Sequence, residues 1–163
     1  MPRARAEDRA GHSAGLLVYR RIASGLEVFV GHMGGPFWAR KDDAAWSIPK
    51  GLIEPGDEPL ATARREFEEE IGMPAPVTEV LELGDFRYRS GKRLTVFAAA
   101  ADAEVAFVRS NEFELEWPPR SGRMQRFREV DRAVWASVPD ARRMLVVGQV
   151  PALEALLEHL GIT

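Results

Sequence analysis

Between Gly51 and Met73 the chain reads GLIEPGDEPLATARREFEEEIGM, a loop turning at Pro55 and Gly56 followed by a helix with both ends marked. Pro59 suits the first turn of a helix, Gly72 suits the left-handed position just past its end, and Pro74 forbids continuation. Leu60, Ala63, Phe67 and Ile71 recur at helical spacing, so one face is apolar and must be buried. Glu66, Glu69 and Glu70 stand at i, i+3 and i+4 and share another face. Like charges at that spacing weaken a helix. A helix that keeps them needs an offset, and a hard divalent cation taking oxygen ligands beside substrate phosphates supplies one. The rest of the chain must therefore bury one side of this helix and leave a carboxylate cluster on the other.

The flanking sequence reads as strands and helices that can do so. Ser13–Arg20 and Leu26–His32, separated by the Ser24–Gly25 turn signal, read as a hairpin. Met33–Ala45 reads as a long loop and Trp46–Pro49 as a short extended piece. Val77–Tyr88 holds a strand, and Leu94–Ala101 is a second, buried one after the Ser90–Gly91 turn. Glu104–Arg123 is irregular, and Phe127–Trp135 contains a short strand. Val138–Val146 and Pro151–Leu160 read as helices, the second with a stripe of Leu153, Leu156, Leu157 and Leu160. No repeat or linker divides the chain, so residues 1–163 form a single α/β domain with residues 1–11 as a frayed start.

Composition removes whole classes of chemistry. With no cysteine among 163 residues, disulfide, zinc-thiolate and cysteine-nucleophile readings are excluded, and a cytoplasmic setting is the default expectation. A net charge of −3 gives no case for bulk nucleic-acid binding. No apolar run approaches the roughly 18 residues of a membrane span. Oligomeric state is not readable.

The segment resembles the signature of the Nudix hydrolases: a Gly, five residues, a Glu, seven residues, then Arg-Glu-apolar-x-Glu-Glu-x-Gly-apolar. Gly51 is followed by LIEPG and Asp57, and seven residues later by Arg65, Glu66, Phe67, Glu68, Glu69, Glu70, Ile71, Gly72 and Met73. The one departure is Asp57, where the family has Glu. The flanks GPFWARKDDAAWSIPKG and EFELEWPPRSGRMQ are similar to a bacterial subgroup of predicted nucleoside triphosphate pyrophosphohydrolases. That subgroup is similar to the asymmetric diadenosine tetraphosphate hydrolases. The resemblance implies the Nudix fold, a mixed, curved β-sheet sandwiched between helices.

It also implies hydrolysis of a phosphoanhydride bond in a nucleoside diphosphate linked to X, using Mg²⁺ or Mn²⁺. By carry-over, Glu66, Glu69, Glu70 and the Gly51 carbonyl are metal ligands. Arg65 orients a glutamate through an ion pair with Asp57 or Glu69. Asp57 is one methylene short for this, so Glu58 is an alternative, and Asp57 can equally be a plain N-cap. Glu129 is the candidate general base, from its spacing to Trp135; Glu112, Glu114 and Glu116 compete but alternate like a solvated strand. Lys50, Arg40, Lys41 and Arg123 are candidate phosphate contacts, with Arg87, Arg89, Lys92 and Arg93 around a turn and Arg120 completing a set that could line a polyphosphate channel. Trp117 is the first choice for stacking on a base, ahead of Trp38 and Phe37. His12, His32 and His159 show no ligand spacing. Dinucleoside polyphosphates, nucleoside triphosphates and ADP-ribose are all open as substrates, with the flanks favouring the first two. The alternatives in other classes are a non-catalytic nucleotide-binding module of this fold and a diphosphate isomerase, the latter disfavoured by the absence of cysteine.

Overall fold

The structure is a computed structural model describing residues 11–162, so the expected frayed start, Gly11 apart, lies outside the described residues. Among the described residues there are nine strands: β1 (His12–Ile22), β2 (Gly25–Met33), β3 (Trp46–Ser47), β4 (Lys50–Leu52), β5 (Val80–Arg87), β6 (Arg93–Ala100), β7 (Glu112–Glu116), β8 (Met124–Arg128) and β9 (Val130–Ser137). Three α-helices accompany them among the described residues, α1 (Pro59–Ile71), α2 (Val138–Met144) and α3 (Val150–Leu160), with a 3-10 turn at Val147–Gln149. Seven strands form one curved mixed sheet in the order β3-β2-β1-β6-β5, with β4 also on β1 and β9 also on β2. β1 and β6 pair in parallel, which requires the long crossover that carries α1.

The sheet sits between helices because its central strands are apolar on both faces. Along β1, Leu16 and Val18 face Ala63, Phe67 and Ile71 of α1, while Leu17 faces Ala141, Met144, Leu153, Leu156 and Leu157 of α2 and α3. Each helix thus buries its apolar side, and α1 is left with its carboxylate face directed away from the core.

Several expectations change. Lys50–Leu52 is a strand where a loop was expected from Gly51 on, and Phe127–Trp135, expected to hold one short strand, contains the end of β8 and most of β9. Asp57 is not the helix cap: Glu58 holds that place in extended backbone with no side-chain cap bond, and Pro59 follows at the first helical position, where its missing N–H has no helical partner to lose. Glu104–Arg123 is not irregular throughout, because β7 pairs with β8 as a separate two-stranded hairpin. The expected boundaries of α1 hold, while α2 stops at Met144, two residues before the expected Val146. Gly72 takes φ 87° and its N–H reaches the Glu68 carbonyl at 2.8 Å.

Candidate active site

Burial of Ala63, Phe67 and Ile71 turns Glu66 and Glu70 towards β4. Glu70 Oε2 accepts the backbone N–H of Lys50 at 3.0 Å. The Glu66 carboxylate occupies the space where a Cβ on Gly51 would stand. Gly51 is outside the left-handed region, so glycine is required here by space and not by backbone conformation.

The electrostatics follow from that crowding. Burial, then the charge of Glu69, pushes Glu66 up to about 7, with Arg65 and Lys50 opposing. Burial likewise raises Glu70; Lys50 opposes through its charge and its N–H, while Glu129 and Glu66 add to the rise. Arg65 reaches Asp57 Oδ2 at 3.1 Å and Glu66 Oε1 at 3.9 Å. The shorter Asp57 therefore does reach the arginine, and the pairing that the sequence left open is Asp57 with Glu66 rather than Glu69.

Backbone bonds bring Glu129 to the same place. Asn111 donates to the Glu69 carbonyl at 2.9 Å, Glu129 donates to the Asn111 carbonyl at 2.8 Å, and Gly34 donates to the Glu129 carbonyl at 2.8 Å. The first of these uses a carbonyl that the end of α1 leaves unpaired. Burial and then the charge of Glu69 raise the Glu129 carboxyl, with Lys50 opposing. Glu112, Glu114 and Glu116 lie exposed on β7, where Glu114 meets Arg126 at 3.5 Å.

The donor set suits a hard cation. It is all oxygen, and a divalent ion beside Glu66 and Glu70 would hold both ionised against burial and mutual repulsion. Among the described residues, no three His, Cys, Asp or Glu side chains converge as a ready cage. An ion such as Mg²⁺ keeps several waters and needs only one or two carboxylates.

Beside the carboxylates opens a cleft of about 530 Å³. Its wall includes Lys50, Gly51, Trp38, Tyr88, Lys92 and Gln149. Of the expected substrate contacts, Lys50, the lower-ranked stacking candidate Trp38 and the turn cations Lys92 and Arg93 line it, while Arg40, Lys41, Arg123 and Trp117 do not. Arg40 is exposed in the loop after β2; Lys41 lies with its ammonium 5.2 Å from the centre of the Trp38 ring. Trp117 packs edge-on to Phe37 at 5.2 Å and its N–H meets the Arg123 carbonyl at 2.9 Å, so both residues close the β7–β8 hairpin. Tyr88 and Gln149 escaped the sequence reading. Gln149 is buried and bonds Ile48, Ser47 and Tyr88, all at least 61 positions away, and no local pattern marks such a residue. His32, given no role, is tied to Asp131 at 2.9 Å and the Lys41 carbonyl at 2.7 Å.

A model of the NUDIX domain family matches residues 13–156. An RNA pyrophosphohydrolase of Roseobacter denitrificans is 28% identical over 138 residues, covering 71% of this chain and 82% of that protein. Other curated relatives are covered over 25% to 41% of their length. In fold, the chain is similar to a Caenorhabditis elegans Ap4A hydrolase in a binary complex, with TM-score 0.60, 17% identity and coverage of 91% and 98%. It is also similar to the NUDIX domain of Shewanella oneidensis NrtR complexed with ADP ribose, with TM-score 0.60, 16% identity and coverage of 91% and 87%.

Proposed function

The chain belongs to the NUDIX domain family, and from that premise we propose that this Nudix pyrophosphohydrolase is a divalent-metal-dependent enzyme cleaving a dinucleoside polyphosphate or a nucleoside triphosphate. The observation that carries the reading is the gathering of Glu66, Glu70, Gly51 and Glu129 around Lys50, beside a cleft with cationic and aromatic walls.

Glu66, Glu69, Glu70 and the Gly51 carbonyl would hold Mg²⁺ or Mn²⁺. Such an ion, when bound, neutralises phosphate charge and makes bound water more acidic. Glu129 would take the proton of the attacking water, since a base need only reach that water in the bound state. Lys50 offsets charge on the leaving phosphate. Arg65, tethered by Asp57, keeps Glu66 over Gly51. The cleft takes the nucleotide, with Trp38 and Tyr88 offering aromatic surface. Trp117 and Arg123 stand outside that wall and would touch substrate only beyond its rim.

The test is direct. The protein is incubated with Mg²⁺ and a panel of diadenosine tetraphosphate, ATP, ADP-ribose and a 5′-triphosphorylated oligonucleotide, the last because several relatives carry the name RNA pyrophosphohydrolase. Glu70→Gln keeps the acceptor for the Lys50 N–H and removes the charge. It is expected to lower kcat by at least about 10³-fold, on the scale of losing a principal electrostatic group. Full activity of Glu70→Gln would remove the ligand assignment. A wild-type protein that binds nucleotide and releases no product would favour the non-catalytic module.

A further inference from the structure

We propose that Gln149 is a positioning residue that holds Tyr88 as a hydrogen-bond donor facing the cleft, so that the bound nucleotide must present an acceptor atom to it. The inference rests on the cleft being the nucleotide site. Gln149 is fully buried just before α3. The Ile48 N–H lies 2.7 Å from one end of its amide and can only donate, so that end is Oε1. The other end is therefore the NH₂, and its two protons go to Ser47 Oγ and Tyr88 Oη, both at 2.9 Å. Ser47 sends its own proton to the Ile48 carbonyl at 2.8 Å.

Every polarity in the network is thus determined, and Tyr88 Oη accepts. Among the described residues nothing accepts the Tyr88 proton in return, and the ring lines the cleft. The ring cannot retreat, because it packs where a Cβ on Gly148 would stand. The turn beneath it is closed by Tyr88 N–H to the Lys92 carbonyl at 2.8 Å and Gly91 N–H to the Tyr88 carbonyl at 2.9 Å. Burial raises the phenol pKa, against the opposing bond from Gln149, so the hydroxyl remains a donor at neutral pH. A glutamine that merely filled the core would satisfy Ile48 and leave ligand affinity untouched.

The two roles separate in a double-mutant cycle. ATP affinity is measured by calorimetry with Mg²⁺ in the Glu70→Gln background, which blocks turnover. Tyr88→Phe, which keeps the ring, is expected to weaken ATP about 5- to 15-fold, the scale of one hydrogen bond. Gln149→Met should give the same loss, and the double variant no more than either single change. Unchanged ATP affinity in Tyr88→Phe, losses that multiply in the double variant, or no ATP binding by the parent would each overturn the proposal. If Gln149→Met does not fold, the Tyr88→Phe affinity alone decides. Turnover by the wild-type protein is read separately, so the hydrolase reading can fail while the affinity result stands.

Discussion

At Gly51 one missing atom separates fold from activity. A methyl there meets the mobile end of Glu66 rather than backbone, so Glu66 is displaced while β4 keeps its pairing with β1. Gly51→Ala is expected to retain the thermal midpoint and to lose roughly 10²-fold in kcat/KM, the effect of misplacing a catalytic group by about 1 Å. Unchanged turnover would show that Glu66 need not lie over Gly51. Asp57 is the converse case. Its pair with Arg65 is exposed, so Asp57→Ala should lower stability by less than about 1 kcal/mol in urea unfolding. Turnover should fall several-fold, because Arg65 loses its tether. A carboxylate at this position suits both a cap and an arginine partner, and only the extended backbone of Glu58 and the reach of Arg65 decide between them. His12 carries a third prediction. Arg93 can only donate to Nδ1, at 3.0 Å, so the ring proton is on Nε2 towards Thr95 Oγ1 at 2.7 Å, and Thr95 donates to Asp85 at 2.6 Å. Burial and then Arg93 lower the His12 pKa below 6.5, with Asp85 opposing. The unfolded chain therefore takes the proton first as pH falls, and the contribution of His12 is full above pH 6.5 and lost below it. The drop in thermal midpoint from pH 7.5 to 5.5 should be smaller in His12→Gln than in the wild type; an equal drop would contradict this reading.

Between elements, the long loop after β2 acts as a brace. Arg143 pins Asp42 at 2.6 Å and Asp43 at 2.5 Å, and Asp42 accepts Trp46 Nε1 at 3.0 Å. At the other end of the loop Gly34 donates to the Glu129 carbonyl, and Phe113 of β7 packs against Gly35. A Cβ on Gly34 would run into the Arg128 carbonyl and the Glu129 backbone, which cannot rotate away. Gly34→Ala should therefore lower stability by about 1–3 kcal/mol, as overpacking does, and lower kcat as well, because Glu129 shifts with its backbone between β8 and β9. Glu129→Gln should lower kcat alone, and urea unfolding beside steady-state kinetics tells the two apart. The same elements show where the sequence was readable. α1 carries its own start, stop and period within 13 residues, and its ends and buried face were legible, apart from the buried Thr62. The β7–β8 hairpin was not, because β7 alternates only between exposed and half-buried positions and its partner, MQRFR, is mostly polar. Trp117, the favoured stacking residue, packs on Phe37, while Tyr88 reaches the cleft beside the Ser90–Gly91 turn that the sequence did signal, held there by Gln149, 61 positions away.

Over the whole molecule, two apolar cores on opposite faces of one sheet hold a cluster of carboxylates that repel each other, so stability and metal affinity are linked. A cation that binds only the folded chain stabilises it by RT ln(1 + [L]/Kd), about 1.4 kcal/mol at ten times Kd. In a chain of 163 residues that corresponds to a rise of roughly 3–5 °C in the thermal midpoint. Saturating Mg²⁺ should therefore raise the wild-type midpoint by this amount, and EDTA should reverse it. Glu70→Gln changes both ends of the cycle. It preserves the bond to the Lys50 N–H while removing one of the crowded charges, so its metal-free midpoint should equal or exceed that of the wild type. It also removes a ligand, so the Mg²⁺-dependent rise should shrink or vanish. The two changes have opposite signs, which general destabilisation by mutation cannot produce: a damaged core would lower the midpoint with and without metal alike. A Glu70→Gln protein that keeps the full Mg²⁺ shift would place the cation elsewhere. One whose metal-free midpoint falls by several degrees would mean that Glu70 holds the fold and not the ion.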